Sequence, residues 1–164
     1  MIEIVEISAR EERDFATIWP IVEQVIREGE TYPFERDMSR ADIHALWSNP
    51  KWRVFVMKEN DAVVGTYFIR PNHAGPAAHI CNAGYAVAVK QRGRGLAKQM
   101  CLHSFNRARE GGFRAMQFNM VVAANPAALA AWTACGMETI GTLKQAFNHP
   151  RLGYVDAHIM YRLL

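Results

Sequence analysis

The stretch Tyr85-Ala-Val87-Ala88-Val89-Lys-Gln-Arg92-Gly93-Arg94-Gly95-Leu96-Ala97-Lys98-Gln-Met-Cys-Leu102 decides the fold. The apolar run from Tyr85 to Val89 reads as the end of a strand. Gly93 and Gly95 follow, and then Leu96 to Leu102 has the composition of a helix. A strand that turns through glycines into a helix leaves backbone N–H groups unpaired at the helix N-terminus. The helix dipole adds partial positive charge there, and the two together bind anions, most often phosphate. Glycine at 93 and 95 lets the backbone approach the anion with no Cβ between them. Arg92, Arg94 and Lys98 surround the turn with full positive charge.

Two common phosphate loops are excluded. No Gly-Lys-Ser/Thr follows the glycines, and Lys98 stands where a dinucleotide loop requires its third glycine. Arg92-x-x-Gly95-x-Ala97 instead resembles the Gln/Arg-x-x-Gly-x-Gly/Ala signature of the GCN5-related N-acetyltransferase superfamily. The resemblance implies acetyl-CoA as cosubstrate. Its pyrophosphate would lie on Arg92, Gly93, Arg94, Gly95, Leu96, Ala97 and Lys98, and its pantetheine along Val87, Ala88 and Val89. It also implies that the Val87 N–H faces the acetyl carbonyl, in an opening between this strand and the next near Met120.

Outward from the loop, the elements alternate in a definite order. Residues 2 to 8 read as a strand, and Ser8 with Glu11 reads as a capping box for a helix ending near Gly29. Pro20 predicts a kink or a tight first turn in that helix. Ser39 caps a short second helix that Asn49-Pro50 breaks. Strands at 52–58 and 62–70 form a hairpin about Glu59-Asn-Asp61, and a long strand over 79–89 feeds the glycine turn. A helix from Gly95 to about Ala108, a strand at 115–122 and a helix opened by Asn125-Pro126 follow, then strands at 137–147 and 154–162. The order β-α-α-β-β-β-α-β-α-β-β describes an α+β protein, with the strands at 79–89 and 115–122 parallel and joined by a right-handed crossover. That order matches the acetyltransferase superfamily across the chain. The resemblance implies its fold, a mixed, mostly antiparallel sheet of about seven strands flanked by four helices, as a single domain over residues 1–164.

Asn125-Pro-Ala-Ala128-Leu-Ala-Ala-Trp132-Thr-Ala-Cys-Gly136-Met137 is similar to the second half of the family pattern, Asn-x-x-Ala-x-x-x-Tyr-x-x-x-Gly-Phe. Asn125 before Pro126 is a good N-cap, and the alanines keep the helix thin enough for a ligand to approach. By resemblance Asn125 contacts the pantetheine arm, and Ala128 and Trp132 belong to the helix that flanks the thioester. Trp132 replaces the tyrosine that serves many relatives as general acid. An indole N–H cannot fill that role, although it can donate a hydrogen bond. A thiol with a pKa near roughly 8.5 leaves tolerably as thiolate without an acid.

A closer likeness covers separate segments. Glu28-Gly-x-Thr-Tyr32-Pro33, Pro71-Asn72, His79-Ile-Cys-Asn82-Ala-Gly-Tyr85 and Gln117-Phe-Asn119-Met-Val-Val122 resemble the yeast acetyltransferases that detoxify azetidine-2-carboxylate, a proline analogue. In that group the asparagines matching Asn82 and Asn119 bind the substrate and position its amine. Both fall within expected strands, where asparagine is disfavoured, so a binding or hydrogen-bonding role must hold them there. Glu30 and Tyr32 join them as acceptor-side candidates, and residues 28–36 and 147–154 are expected to roof the pocket. His79, Cys81, Asn82, Tyr85, Glu28 and Glu30 are the candidates to take the amine's proton.

Composition sets the remaining bounds. A net charge of +3 without a basic stripe argues against a dedicated nucleic-acid binder. Cys81, Cys101 and Cys135 lack disulfide or metal spacing, which fits a reducing cytoplasm and predicts no metal site. No uncharged run reaches the roughly 18 residues of a membrane helix, and Met1 to Ile7 alternates like a strand rather than a signal peptide. The expected activity is therefore acetyl-CoA-dependent N-acetylation of a small, proline-like or other amino-acid amine. Acetylation of a protein, peptide, antibiotic or herbicide amine, or non-catalytic CoA sensing, stands as the alternative. The aromatic residues in the final strands fit a homodimer contact or closure of the pocket.

Overall fold

Runs of alternating apolar residues form the strands β1 (Ile2–Ile7), β2 (Arg53–Glu59), β3 (Ala62–Pro71), β4 (Ile80–Val87), β5 (Ala115–Val122), β6 (Glu138–His149) and β7 (Gly153–Leu163). The computed structural model describes residues 1–164 and gathers these strands into one sheet, ordered β1-β2-β3-β4-β5-β7-β6. β4 and β5 are its one parallel pair; every other neighbour is antiparallel. The helices are α1 (Glu12–Glu28), α2 (Arg40–Trp47), α3 (Leu96–Glu110) and α4 (Pro126–Ala134). The expected order of elements and the α+β architecture are those of the structure.

The strand period of two sorts side chains between the two faces of the sheet. Phe68, Val54 and Val56 meet Phe15, Ile18, Val22 and Trp47 of α1 and α2 on one face. Tyr67, Phe55 and Met57 meet Leu96, Met100 and Phe105 of α3 on the other. Cys81, Cys101 and Cys135 are buried free thiols, behaving as small apolar residues. No helix is long and apolar enough to cross a membrane.

Local signals held in most places. Ser39 accepts the Asp42 N–H at 3.1 Å and starts α2 as expected, and Gly29 ends α1 at φ 66°. Ser8 departs from expectation. It lies outside α1, whose N-cap is Glu11, and its backbone N–H donates to Asp14 Oδ2 at 3.2 Å. Pro20 sits inside α1 rather than breaking it. Ala16, whose carbonyl Pro20 cannot serve, is exposed along with Pro20, so water can take that bond. β4 is shorter than expected: it ends at Val87, and Val89–Gln91 is a turn of 3-10 helix.

Two irregularities open the sheet at its centre. β4 and β5 pair only at Ile80–Ala115 and Cys81–Met116. β5 then pairs with β7 up to Phe118 and again from Val121, which leaves Asn119 and Met120 as a bulge. A bulge bends its strand and re-aims the side chains on it. The sheet therefore splits into a V whose apex lies at Cys81 and Met116, with the bulge on one arm.

Candidate active site

The glycine turn leads into α3 with its donors free. Gly95 is the N-cap of α3 at φ 75°, and Gly93 stands at φ 78°. Only glycine adopts this left-handed backbone readily. The N–H groups of residues 93–98 find no acceptor within the protein, and no side chain caps the helix. An ideal Cβ at Gly93 or Gly95 would meet no atom within 4 Å, so the space over the loop is open. Free amides converging at a helix N-terminus are the backbone arrangement that suits an anion.

The basic side chains contribute unequally. Arg92 is ion-paired with Glu28 of α1 at 2.8 Å. Arg94 turns from the loop to form a bidentate pair with Glu59 at the end of β2, at 2.8 and 2.9 Å. Lys98 carries no carboxylate partner and lines the central cavity. The loop's unpaired charge is therefore that of Lys98 and the helix dipole, not the three-fold cluster that the sequence suggests.

A cavity of about 490 Å³ runs from this loop, through the V, to the far face of the sheet. Val87, Arg92, Gly93, Gly95, Leu96, Ala97, Lys98, Asn125, Ala128, Trp132, Tyr32, Asn82 and Asn119 all line it, as expected candidates. Ala88, Val89 and Arg94 do not. Glu30 lines an adjoining cavity of about 410 Å³ that shares Thr31, Tyr85, Val87, Arg92 and Asn125 with the first.

The hydrogen-bond phase of β4 explains how its backbone meets the gap. Ala88 N–H donates to Val64 O at 3.0 Å, and Asn72 N–H to Ile80 O at 2.8 Å. Antiparallel pairing alternates, so even-numbered residues of β4 bond β3 while Tyr85 and Val87 direct N–H and C=O toward the gap. The expected opening beside Val87, near Met120, is present because β4 and β5 do not pair beyond Cys81 and Met116, and both the Tyr85 and Val87 N–H groups face it.

Asparagines occupy the apex. Asn82 Nδ2 donates to Gln117 O at 2.9 Å, filling the place where the next backbone rung would form. Asn119, on the bulge, donates to Asn72 Oδ1 at 2.7 Å and accepts from Gln117 Nε2 at 3.0 Å. Above them Tyr32, Phe34 and Phe68 make an apolar wall, with Tyr32 and Phe34 edge to face at 5.7 Å. Gly84 is required here, because a Cβ would stand 2.7 Å from the Phe68 ring. Phe34 falls within the roof expected over residues 28–36, but sequence reasoning missed Phe68 and Arg70, whose only signal was their place on the strand beside Asn82.

α4 lies along the other side of the cavity. Asn125 accepts the Ala128 N–H at 3.0 Å and starts the helix, with Pro126 at its first position. Trp132 packs on Tyr85 at 4.9 Å and on Phe118 at 5.4 Å.

None of the expected proton acceptors is a free base in the cavity. Burial pushes the Cys81 thiol up to about 12 and raises the Tyr85 phenol well above its usual value. The Tyr85 hydroxyl shares a hydrogen bond with Ser104 at 2.7 Å, in the core beneath α3. His79 is exposed before β4 and bonded to Pro76 O at 3.1 Å. Glu28 pairs with Arg92, and Glu30 pairs with Arg151 at 2.8 Å. The Glu30–Arg151 pair joins the two segments expected to roof the pocket.

Known proteins resemble this chain in sequence and in fold. Residues 19–137 match the model of the Acetyltransferase (GNAT) family. N-acetyltransferase aca1 of Schizosaccharomyces pombe is 26% identical over 161 residues, covering 88% of this chain and 77% of the relative. A GCN5-related N-acetyltransferase from Kribbella flavida superposes with a TM-score of 0.90 at 35% identity, over 99% of this chain and 98% of that one. A phosphinothricin acetyltransferase from Sinorhizobium meliloti, solved with acetyl-CoA, shares the fold at a TM-score of 0.85 and 22% identity, over 99% of this chain and 88% of that one. The loop of free amides, the split sheet and the family match lead to one conclusion: this chain belongs to the GNAT family of acetyltransferases.

Proposed function

We propose that the protein acetylates the amine of a small molecule of amino-acid type, with proline-like imino acids the first class to test, using acetyl-CoA as cosubstrate. One observation carries this reading: a single cavity joins the amide-lined loop to a chamber walled by Tyr32, Phe34 and Phe68. The Glu30–Arg151 pair across the adjoining cavity supports an enclosed acceptor rather than a peptide in an open groove. The segment likeness to the azetidine-2-carboxylate group supports the imino-acid class, and the Schizosaccharomyces pombe relative named as an N-acetyltransferase supports N-acetylation.

The chemistry follows from the geometry. The free amides at 93–98 and Lys98 take the pyrophosphate, and the pantetheine lies in the V between β4 and β5. The amine nitrogen attacks the thioester carbonyl carbon while the Tyr85 or Val87 N–H stabilises the oxyanion. Collapse of the adduct breaks the C–S bond and releases thiolate. The amine's proton passes to water, since Cys81 and Tyr85 stay protonated and Glu28 and Glu30 are held in ion pairs. Holding the amine against the thioester supplies much of the acceleration.

Thiol release from acetyl-CoA, followed across azetidine-2-carboxylate, 4-hydroxyproline, primary amino acids and histone-like peptides, tests the reading. Turnover with the small amines and none with peptides is the expected result. Turnover of peptides alone overturns the acceptor class, and binding of CoA with no turnover of any amine favours a sensor.

A further inference from the structure

Three cationic side chains line the central cavity: Arg70, Arg92 and Lys98. No aspartate or glutamate lines it. Arg92 is neutralised by Glu28, and Lys98 belongs to the loop end. Arg70 stands alone at the opposite end, among Phe68, Asn82 and the aromatic wall.

Arg70 is on the last turns of the β3 ladder, opposite Asn82 in register. Its Nε makes a long contact of 3.4 Å to Asn82 Oδ1, and its guanidinium carbon lies 5.1 Å from the Trp52 ring centre. Its terminal nitrogens have no acceptor within the protein and no carboxylate reaches it. Burial by itself lowers its pKa, with no acid nearby to offset the cost. A guanidinium stays charged regardless. A half-buried, permanently charged fork with free donors, stacked in place by an aromatic ring, is built to receive a planar oxyanion.

We propose that Arg70 binds a carboxylate of the acceptor, so that the substrate is an α-amino or α-imino acid recognised by its acid group as well as its amine. The inference rests on the chamber's being the amine site. The spacing suits it. Asn82 and Tyr85 are three residues apart on β4, about 10 Å at a strand's rise. An arginine side chain and a small amino acid fill that gap together, with the amine toward the thioester. The same charge repels lysine side chains and polyamines, which would bring a second cation to Arg70.

The test compares each amino or imino acid with its own carboxamide, in the wild type and in Arg70→Gln and Arg70→Lys. The wild type should show a KM at least about tenfold lower for the acid than for the carboxamide. The carboxamide's amine is less basic and more of it is free, a bias that works against the expected preference. Arg70→Gln should raise KM for the acid about 10- to 100-fold, leave the carboxamide nearly unchanged and keep acetyl-CoA affinity. Arg70→Lys should restore part of the preference. A loss shared equally by acid and carboxamide would mark Arg70 as structural and overturn the inference. Turnover of small amines with no preference for the acid would overturn it while leaving the proposed function standing. Turnover of none of them would remove the proposed function, and the inference with it.

Discussion

Gly95→Val is expected to weaken acetyl-CoA binding by about a hundredfold or more in a calorimetric titration. Gly95 holds φ 75° as the N-cap of α3, and a β-branched residue there is a backbone outlier. The unliganded protein has room for the side chain, since a Cβ meets nothing within 4 Å. Its stability should therefore fall only by the backbone cost, about 1–2 kcal/mol. Binding loses more. Valine's methyl groups occupy the space where the phosphates approach, and a relaxed backbone turns the amides at 93–98 out of convergence. Charge-assisted hydrogen bonds of this kind are worth about 1.5–3 kcal/mol each, so losing two accounts for the expected drop. Gly112→Val is the control. Gly112 has φ 82° in similarly open space beyond the far end of α3. It should lower stability by a comparable amount and leave affinity unchanged. Equal affinity for Gly95→Val and wild type would remove the loop as the phosphate site.

Asn82→Ala is expected to lower kcat by about a hundredfold while the acetyl-CoA dissociation constant moves less than about threefold. Asn82 ties β4 to β5 through Gln117 O at 2.9 Å, where the backbone ladder has already stopped. Its removal leaves that carbonyl unpaired and frees the two strands to shift at the apex, and a displacement of about 1 Å can cost that much in rate. It also withdraws the only side-chain acceptor that Arg70 has. Asn119→Ala should act in the same direction, because Asn119 links Gln117 and Asn72 across the bulge. Separate measurement of kcat by thiol release and of CoA affinity by calorimetry decides the matter. An equal loss of both would show that the tie at the apex supports the CoA side of the cavity as much as the acceptor side, against the expected split.

Local signals carried most of the architecture. The alternation of Ala115 to Val122, the caps at Ser39 and Asn125, and the glycines at 29, 93, 95 and 136 each mark an element or its end through short-range physics. Ser8 misled because its capping-box pattern is local, whereas α1 starts after Glu11 with no side-chain cap and Asp14 takes the Ser8 N–H instead. The loop's charges were visible, but their partners were not. Glu59 lies 35 residues from Arg94, and Glu28 lies 64 from Arg92. Sequence pattern carries no record of such pairs. The bulge at Asn119 and Met120 was equally hidden, since a period of two runs through it in the sequence and only the register with β7 exposes it. Arg70 was overlooked for a related reason. A lone arginine at the end of a strand is unremarkable until the absence of any acid around it is seen in three dimensions.

The split between β4 and β5 should also be written in the protein's hydrogen exchange. Along β4, the amides of Asn82, Gly84 and Ala86 are locked into β3, whereas those of Tyr85 and Val87 open onto the gap. Exchange in the free protein should then alternate residue by residue within one well-ordered strand, a pattern that fraying cannot produce. Acetyl-CoA would slow the fast set selectively, acting for that length as the missing strand of the sheet.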